Sequence, residues 1–215
     1  MIKGVIFDLD GTIIDSMNIW CNIDHAFLKE NGIENPPADV SDKVKKLTID
    51  DAAKYFINNF GLKCTVKYIV DRIEELVRIE YEENIPLKPY VNEVLDILDR
   101  KNIPYGIATA TYRSLAESVL KRLGIYRRFR FLLTESEYPR GKNFPDIYIG
   151  GAEHLGFSPN EVLVVEDSLH CIETAVKAGF VTVGVYDEVS AEERDIMERI
   201  SDYYFESLDK IESIL

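Results

Sequence analysis

Near the amino terminus, two aspartates two residues apart close a short apolar run, Val5-Ile6-Phe7-Asp8-Leu9-Asp10-Gly11-Thr12. A β-branched and aromatic run of this length, stopped by glycine, predicts a buried strand. Two carboxylates at its carboxyl end repel each other, and burying either one unpaired is costly. A hard divalent cation such as Mg²⁺ relieves both problems, because it takes oxygen ligands. The competing reading is purely local. Asp8 opens a turn and Asp10 caps the next segment, since Asp-Gly is a common turn signal.

Open parallel sheets bind ligands beyond the carboxyl ends of their strands. Other polar residues share that position. Thr109 follows the strand-like Ile103-Pro-Tyr-Gly-Ile-Ala108, and Glu166-Asp167 follow Val162-Leu-Val-Val165. Lys142 lies in the loop Pro139-Arg-Gly-Lys-Asn-Phe-Pro-Asp146, ahead of a helix. Each has an ordinary alternative: Thr109 as a helix N-cap, Lys142 as a solvated lysine, Glu166-Asp167-Ser168 as a cap for the next helix. Their common placement at strand ends favours one shared site.

Elements that would position these residues follow from periodicity. From about residue 16 to 85 the pattern is helical throughout. Trp20, Ile23, Phe27 and Leu28 make a first helix ending at Asn31-Gly32, and Val40, Val44 and Leu47 a short second. Thr48 to Asp51 can cap a third, and a longer helix is expected from about Thr65 to Asn84. After Pro86 and Pro89 the pattern changes to strand and helix in alternation. Strands are expected at Ile103–Thr109, Phe129–Leu133, Glu161–Val165 and Val181–Val185, with helices between them. The tail reads as a helix, a weak strand at Tyr203-Tyr204-Phe205 and a closing helix. Alternation over about a hundred residues predicts a parallel sheet with right-handed crossovers. The first strand joins that sheet, so the helical block is an insertion.

The chain has 215 residues, 46% of them hydrophobic and 29% charged, which suffices for a folded domain and a smaller second one. A net charge of -13 argues against nucleic acid or an anionic membrane as the main partner. An anionic substrate would need local help from a cation and a few basic side chains. Cys21, Cys64 and Cys171 are far apart and make no C-x-x-C, so reduced thiols in a cytoplasm are expected rather than a disulfide framework or a zinc site. No apolar window is long enough to span a membrane.

Asp8-x-Asp10-Gly11-Thr12, Thr109, Lys142 and Glu166-Asp167, in this order, resemble the four motifs of the haloacid dehalogenase superfamily, and the resemblance runs along essentially the whole chain. It implies an α/β fold, a Rossmann-like parallel-sheet core of residues 1–15 and 86–215 with an inserted all-helical cap of residues 16–85 that closes over the site. It also implies roles. Asp8 would be the nucleophile toward phosphorus, and Asp10 the general acid and then base. Thr109, with backbone N–H groups at Ala110, would bind the phosphoryl oxygens, and Lys142 would neutralise their charge. The Asp8 side chain, the Asp10 carbonyl, Glu166 and Asp167 would hold Mg²⁺. An acid two residues after the nucleophile, together with a metal set, points to phosphoryl transfer rather than dehalogenation. The implied activity is Mg²⁺-dependent hydrolysis of a small phosphorylated metabolite; a monomer is expected.

Gly141-Lys142…Pro145-Asp146-Ile147-Tyr148 and Val165-Glu166-Asp167-Ser168 are most similar to the β-phosphoglucomutase-like and phosphoglycolate-phosphatase-like subgroup. The chain departs from it in places. Mutases of that group carry an arginine in the cap. The equivalent stretch here, Lys43 to Asp50, has none, although Lys45 or Lys46 could act as a point charge. Tyr90 and Cys171 stand where glycine is usual, and Asn143-Phe144 replaces Pro-Ala. Trp20 reads as core and His25 as a surface or hydrogen-bonded histidine. A sugar-phosphate mutase is therefore the second reading. A phosphorylatable signalling module is a third, disfavoured because such modules carry the phosphoacceptor after the third strand and lack an inserted helical lid.

Overall fold

The computed structural model describes residues 1–44, 47 and 49–215, with the backbone alone at 20, 21, 42, 49 and 50. Six strands form one parallel sheet: β1 (Gly4–Phe7), β2 (Tyr105–Thr109), β3 (Leu132–Thr134), β4 (Val162–Glu166), β5 (Val181–Val185) and β6 (Tyr203–Phe205). Their spatial order is β3-β2-β1-β4-β5-β6. Strand order therefore reverses at β1, and an open α/β sheet leaves its crevice at such a reversal. The central strands β1, β2 and β4 are buried along their whole length, which accounts for their unbroken apolar runs.

Residues Met1–Ser16 with Ile85–Leu215 form one compact unit, and Met17–Asn84 form another. The second is helical, with α1 (Met17–Glu30), α2 (Val40–Val44), α3 (Ile49–Phe60) and α4 (Val66–Ile79). Ile69, Ile73 and Val77 recur along one face of α4 and are buried, as the spacing predicts. The Phe27 and Phe56 rings stack at 5.8 Å. On the outside of this unit, Arg72 bridges Glu30 and Glu75, at 2.7 Å to each. The expected helix to Asn84 runs on from α4, but its last turn, Glu80–Asn84, is a π turn. The cap at Thr48, the lysines 45 and 46, and the Trp20 side chain lie outside the described residues.

In the sheet unit the crossovers are α5 (Val91–Lys101), α6 (Arg113–Arg122), α7 (Asp146–Leu155), α8 (Leu169–Lys177) and α9 (Arg194–Ile200). Ile6, Ala108, Phe131, Leu133 and Val164 share a core with Ile147, Tyr148 and Ala152 of α7. On the opposite face Phe7 meets Tyr105 edge-on, and the Tyr105 hydroxyl donates to Asp99 of α5 at 2.9 Å. Two expected elements are corrected. The strand read at Phe129–Leu133 lies at Leu132–Thr134, in register with Ile107–Thr109 of β2, while Arg130 and Phe131 ahead of it make single backbone hydrogen bonds to Tyr105 and Ile107. The closing helix is a 3₁₀ segment, Leu208–Ile214, whose short acidic sequence buries only Leu208 and Ile211. Tyr90 explains its own oddity. Its backbone is left-handed, φ 67°, at the start of α5, a conformation that glycine adopts without cost.

Among the described residues no helix is long and apolar enough to cross a membrane. Cys64 and Cys171 are free thiols.

Candidate functional site

Register brings the acidic pairs together. Phe7 of β1 pairs with Val165 of β4, and the Asp8 N–H donates to the Val165 carbonyl at 2.9 Å. Asp8 therefore emerges beside Glu166 and Asp167. On the other side Phe7 pairs with Ile107 of β2, so Thr109 ends the neighbouring strand. Lys142 reaches the same point from the β3–α7 loop. Gly141, at φ 65°, makes the turn before it, and a β-carbon there would meet the Glu135 carboxylate.

The result is a buried charge cluster. Asp8, Lys142, Glu166 and Asp167 are all at least 93% buried. Lys142 Nζ makes ion pairs with Asp8 Oδ1 and with Glu166 Oε1, the latter at 2.7 Å. The Tyr148 hydroxyl donates to the same Glu166 oxygen at 2.7 Å. Oxygens of Asp8, Glu166 and Asp167 lie within 4.8 Å of one another. Burial, then the Glu166 charge, pushes Asp8 up to about 8, with Lys142 pulling the other way. Asp167 is raised well above the carboxylate range, by burial first and then by Asp8 and Glu166. Burial alone would lower Lys142, but Asp8 and Glu166 more than offset it and hold the ammonium charged. Three carboxyl groups crowded on one ammonium in a site shut off from water resist ionising together, and a divalent cation with oxygen ligands suits that donor set.

Asp10 is held apart from this cluster. Ser16 Oγ donates to its Oδ1 at 2.6 Å and Thr111 Oγ1 to its Oδ2 at 2.5 Å, so the carboxylate has a fixed orientation beside Asp8. Thr109 does not cap a helix. Its hydroxyl is buried and accepts from the Thr111 N–H at 3.0 Å, while Ala110 between them is exposed. Nor is Ser168 a side-chain cap for α8. His25, in the helical unit, lies 3.4 Å from the Ser41 hydroxyl.

Asp8, Asp10, Thr109, Ala110, Lys142, Glu166 and Asp167, the residues proposed from sequence for the site, thus lie at the carboxyl end of the sheet or in the loops that leave it. Ser16, Thr111 and Tyr148 were missed there. Thr111 is two residues past a predicted site residue and Tyr148 sits inside a quoted motif, so both carried a positional signal. Ser16 carried none.

A doubly wound parallel sheet with buried carboxylates and a lysine at its reversal point defines a Rossmann-like α/β enzyme core. The model of the haloacid dehalogenase-like hydrolase family matches residues 5–185, and the chain belongs to that family. It is 28% identical over 188 residues to the N-acetylmuramic acid 6-phosphate phosphatase of Pseudomonas aeruginosa, covering 86% of this chain and 81% of that protein. It is 25% identical over 177 residues to a phosphorylated carbohydrates phosphatase of Thermotoga maritima, covering 82% of each. Among solved structures, a provisionally named β-phosphoglucomutase of Thermotoga maritima superposes with a TM-score of 0.87 at 22% identity, over 99% of this chain and 98% of that one; this likeness speaks for the fold alone.

Proposed function

We propose that this chain is a Mg²⁺-dependent phosphatase that hydrolyses a small phosphorylated carbohydrate through an aspartyl-phosphate on Asp8. The observation that carries the reading is the convergence of Asp8, Lys142, Glu166 and Asp167 in one buried cluster, with Asp10 oriented beside it. Relatives with 25–28% identity named as phosphatases of phosphorylated sugars support the substrate class.

In the first step an Asp8 oxygen forms a bond to phosphorus as the bond to the ester oxygen breaks. Asp10 delivers a proton to the departing alkoxide. In the second step water attacks phosphorus, Asp10 takes its proton, and the Asp8–phosphorus bond breaks to release phosphate. Lys142 and the Thr109 hydroxyl stabilise charge on the phosphoryl oxygens, aided by backbone N–H groups at Ala110. The Asp8 and Asp167 carboxylates, Glu166 and the Asp10 carbonyl would hold Mg²⁺, which supplies charge neutralisation between an anionic nucleophile and an anionic phosphate. Tyr148 keeps Glu166 in place for Lys142. The helical unit Met17–Asn84 is assigned the choice of substrate.

Phosphate release from a panel of sugar phosphates, phosphoglycolate, nucleotides and bisphosphates, with Mg²⁺ and with chelator, tests the reading. Metal-dependent release from sugar monophosphates is expected. Isomerisation of a hexose phosphate primed by a bisphosphate, without net release, would replace it with a mutase.

A further inference from the structure

A second charged pair lies in the sheet unit, outside the cluster just described. Lys88 Nζ donates to Asp187 Oδ2 at 2.6 Å, and the two side chains are only 15% and 5% exposed. An ion pair this buried seldom adds net stability over apolar residues of similar size. Its connections suggest another purpose.

On one side, the other oxygen of Asp187 accepts from the Val189 N–H at 2.9 Å, closing a tight turn after β5. That turn presents Ser190, whose hydroxyl donates to the backbone carbonyl of Asp167 at 2.8 Å. On the other side, the Lys88 N–H donates to the Ile13 carbonyl at 3.0 Å, and the Asp15 N–H donates to the Pro86 carbonyl at 3.0 Å. Ile13 belongs to the turn that follows Asp10, where its N–H returns to the Leu9 carbonyl. One lysine thus joins the loop carrying Asp8 and Asp10 to the loop carrying Asp167, two segments far apart in sequence.

We propose that Lys88 is a positioning residue for the Mg²⁺ site: acting through Asp187 and Ser190, it fixes the backbone of Asp167 relative to the turn after Asp10. The inference rests on the reading that these loops hold Mg²⁺. Groups that orient metal ligands from behind change affinity by about 10–100-fold when removed. Lys88 acts one link further back, so a loss of about fivefold to tenfold is expected.

Sign separates positioning from simple Coulomb effects. Removing a cation near a Mg²⁺ site should tighten binding if charge alone mattered, and Asp187 is close enough to Asp167 to act on its charge. Positioning predicts the reverse. The test is calorimetric titration of the full-length protein with Mg²⁺ alone, without substrate. Lys88→Met should bind about fivefold to tenfold more weakly, Ser190→Ala should also weaken, and Lys88→Arg should recover most of the affinity. Lys88→Met/Asp187→Asn, which leaves local charge balanced, should remain weak. Wild-type affinity in Lys88→Met and Ser190→Ala, or tighter binding in Lys88→Met, overturns the inference. Should Lys88→Met fail to fold, Ser190→Ala and Lys88→Arg decide in the same way. A wild-type protein that takes up no Mg²⁺ overturns the metal reading itself, and the inference with it.

Discussion

Lys142 and Arg72 each stand between two carboxylates, one in the sheet unit and one on the helical unit, yet the two arrangements have opposite meanings. Arg72 holds Glu30 and Glu75 where water reaches all three. Such pairs contribute little, because solvent screens them and ordering long side chains costs entropy. Lys142 holds Asp8 and Glu166 away from water, with Asp167 adjoining. Desolvating that many charges works against folding, and the ion pairs recover only part of the cost. The exposed group is solvated charge, whereas the buried one keeps Asp8, the proposed nucleophile, and its neighbours in register. The same pairing pattern marks function only where burial makes it costly.

The largest effect is expected from Asp8→Asn. Turnover should fall by about 10⁴-fold or more, in the range lost when a nucleophile is removed. Urea unfolding should show stability unchanged or raised, since a buried carboxyl group crowded by Glu166 and Asp167 is replaced by a neutral amide of the same shape. Retained phosphate release would sink the covalent mechanism. Next comes Lys142→Met, which strands Asp8 and Glu166 without a cation. A loss of about 3–5 kcal/mol is expected from urea unfolding; a neutral result would mean that the cluster is less desolvated than its geometry implies. Saturating Mg²⁺, at about 100 times its dissociation constant, should stabilise by about 2.7 kcal/mol. Scanning calorimetry with and without chelator reads that shift, and Asp8→Asn should diminish it. The smallest effect belongs to Arg72→Gln. Its melting temperature should drop by no more than about 2 °C, and less still in added salt. A larger drop would erase the contrast.

Much of the fold was legible because it depends on local pattern. Val162–Val165 is apolar at every position, so it reads as a strand covered on both faces, and Ile69, Ile73 and Val77 show helical spacing. Failures came where partners far along the chain decide the outcome. The bounds of β3 follow from its register with Ile107–Thr109 of β2, and nothing within Phe129–Leu133 reveals that. Asp8, Thr109, Lys142, Glu166 and Asp167 could be placed together because each sits at a strand end or in a loop that leaves one. The hydrogen bond from Thr111 to Asp10 spans 101 positions and the Lys88–Asp187 pair 99, and such pairings leave no trace in periodicity. Tyr90 was visible as an oddity, but only its positive φ supplies the reason.

The segment ahead of the helical unit and the segment behind it lie side by side. Ile14 bridges Leu87 in antiparallel fashion, flanked by the Asp15–Pro86 and Lys88–Ile13 hydrogen bonds. In engineering terms this is a hairpin with an entire domain spliced in as its loop. Entropy of closure grows only slowly with the length of what is inserted, so the splice point should accept exchange. A shorter loop, or a different helical module, could be grafted between Ser16 and Ile85 while the sheet keeps its own register and Asp10 keeps its partner Ser16. With substrate choice assigned to the helical unit, as proposed, new substrate ranges would be reached by swapping a cassette rather than by rebuilding a catalytic centre.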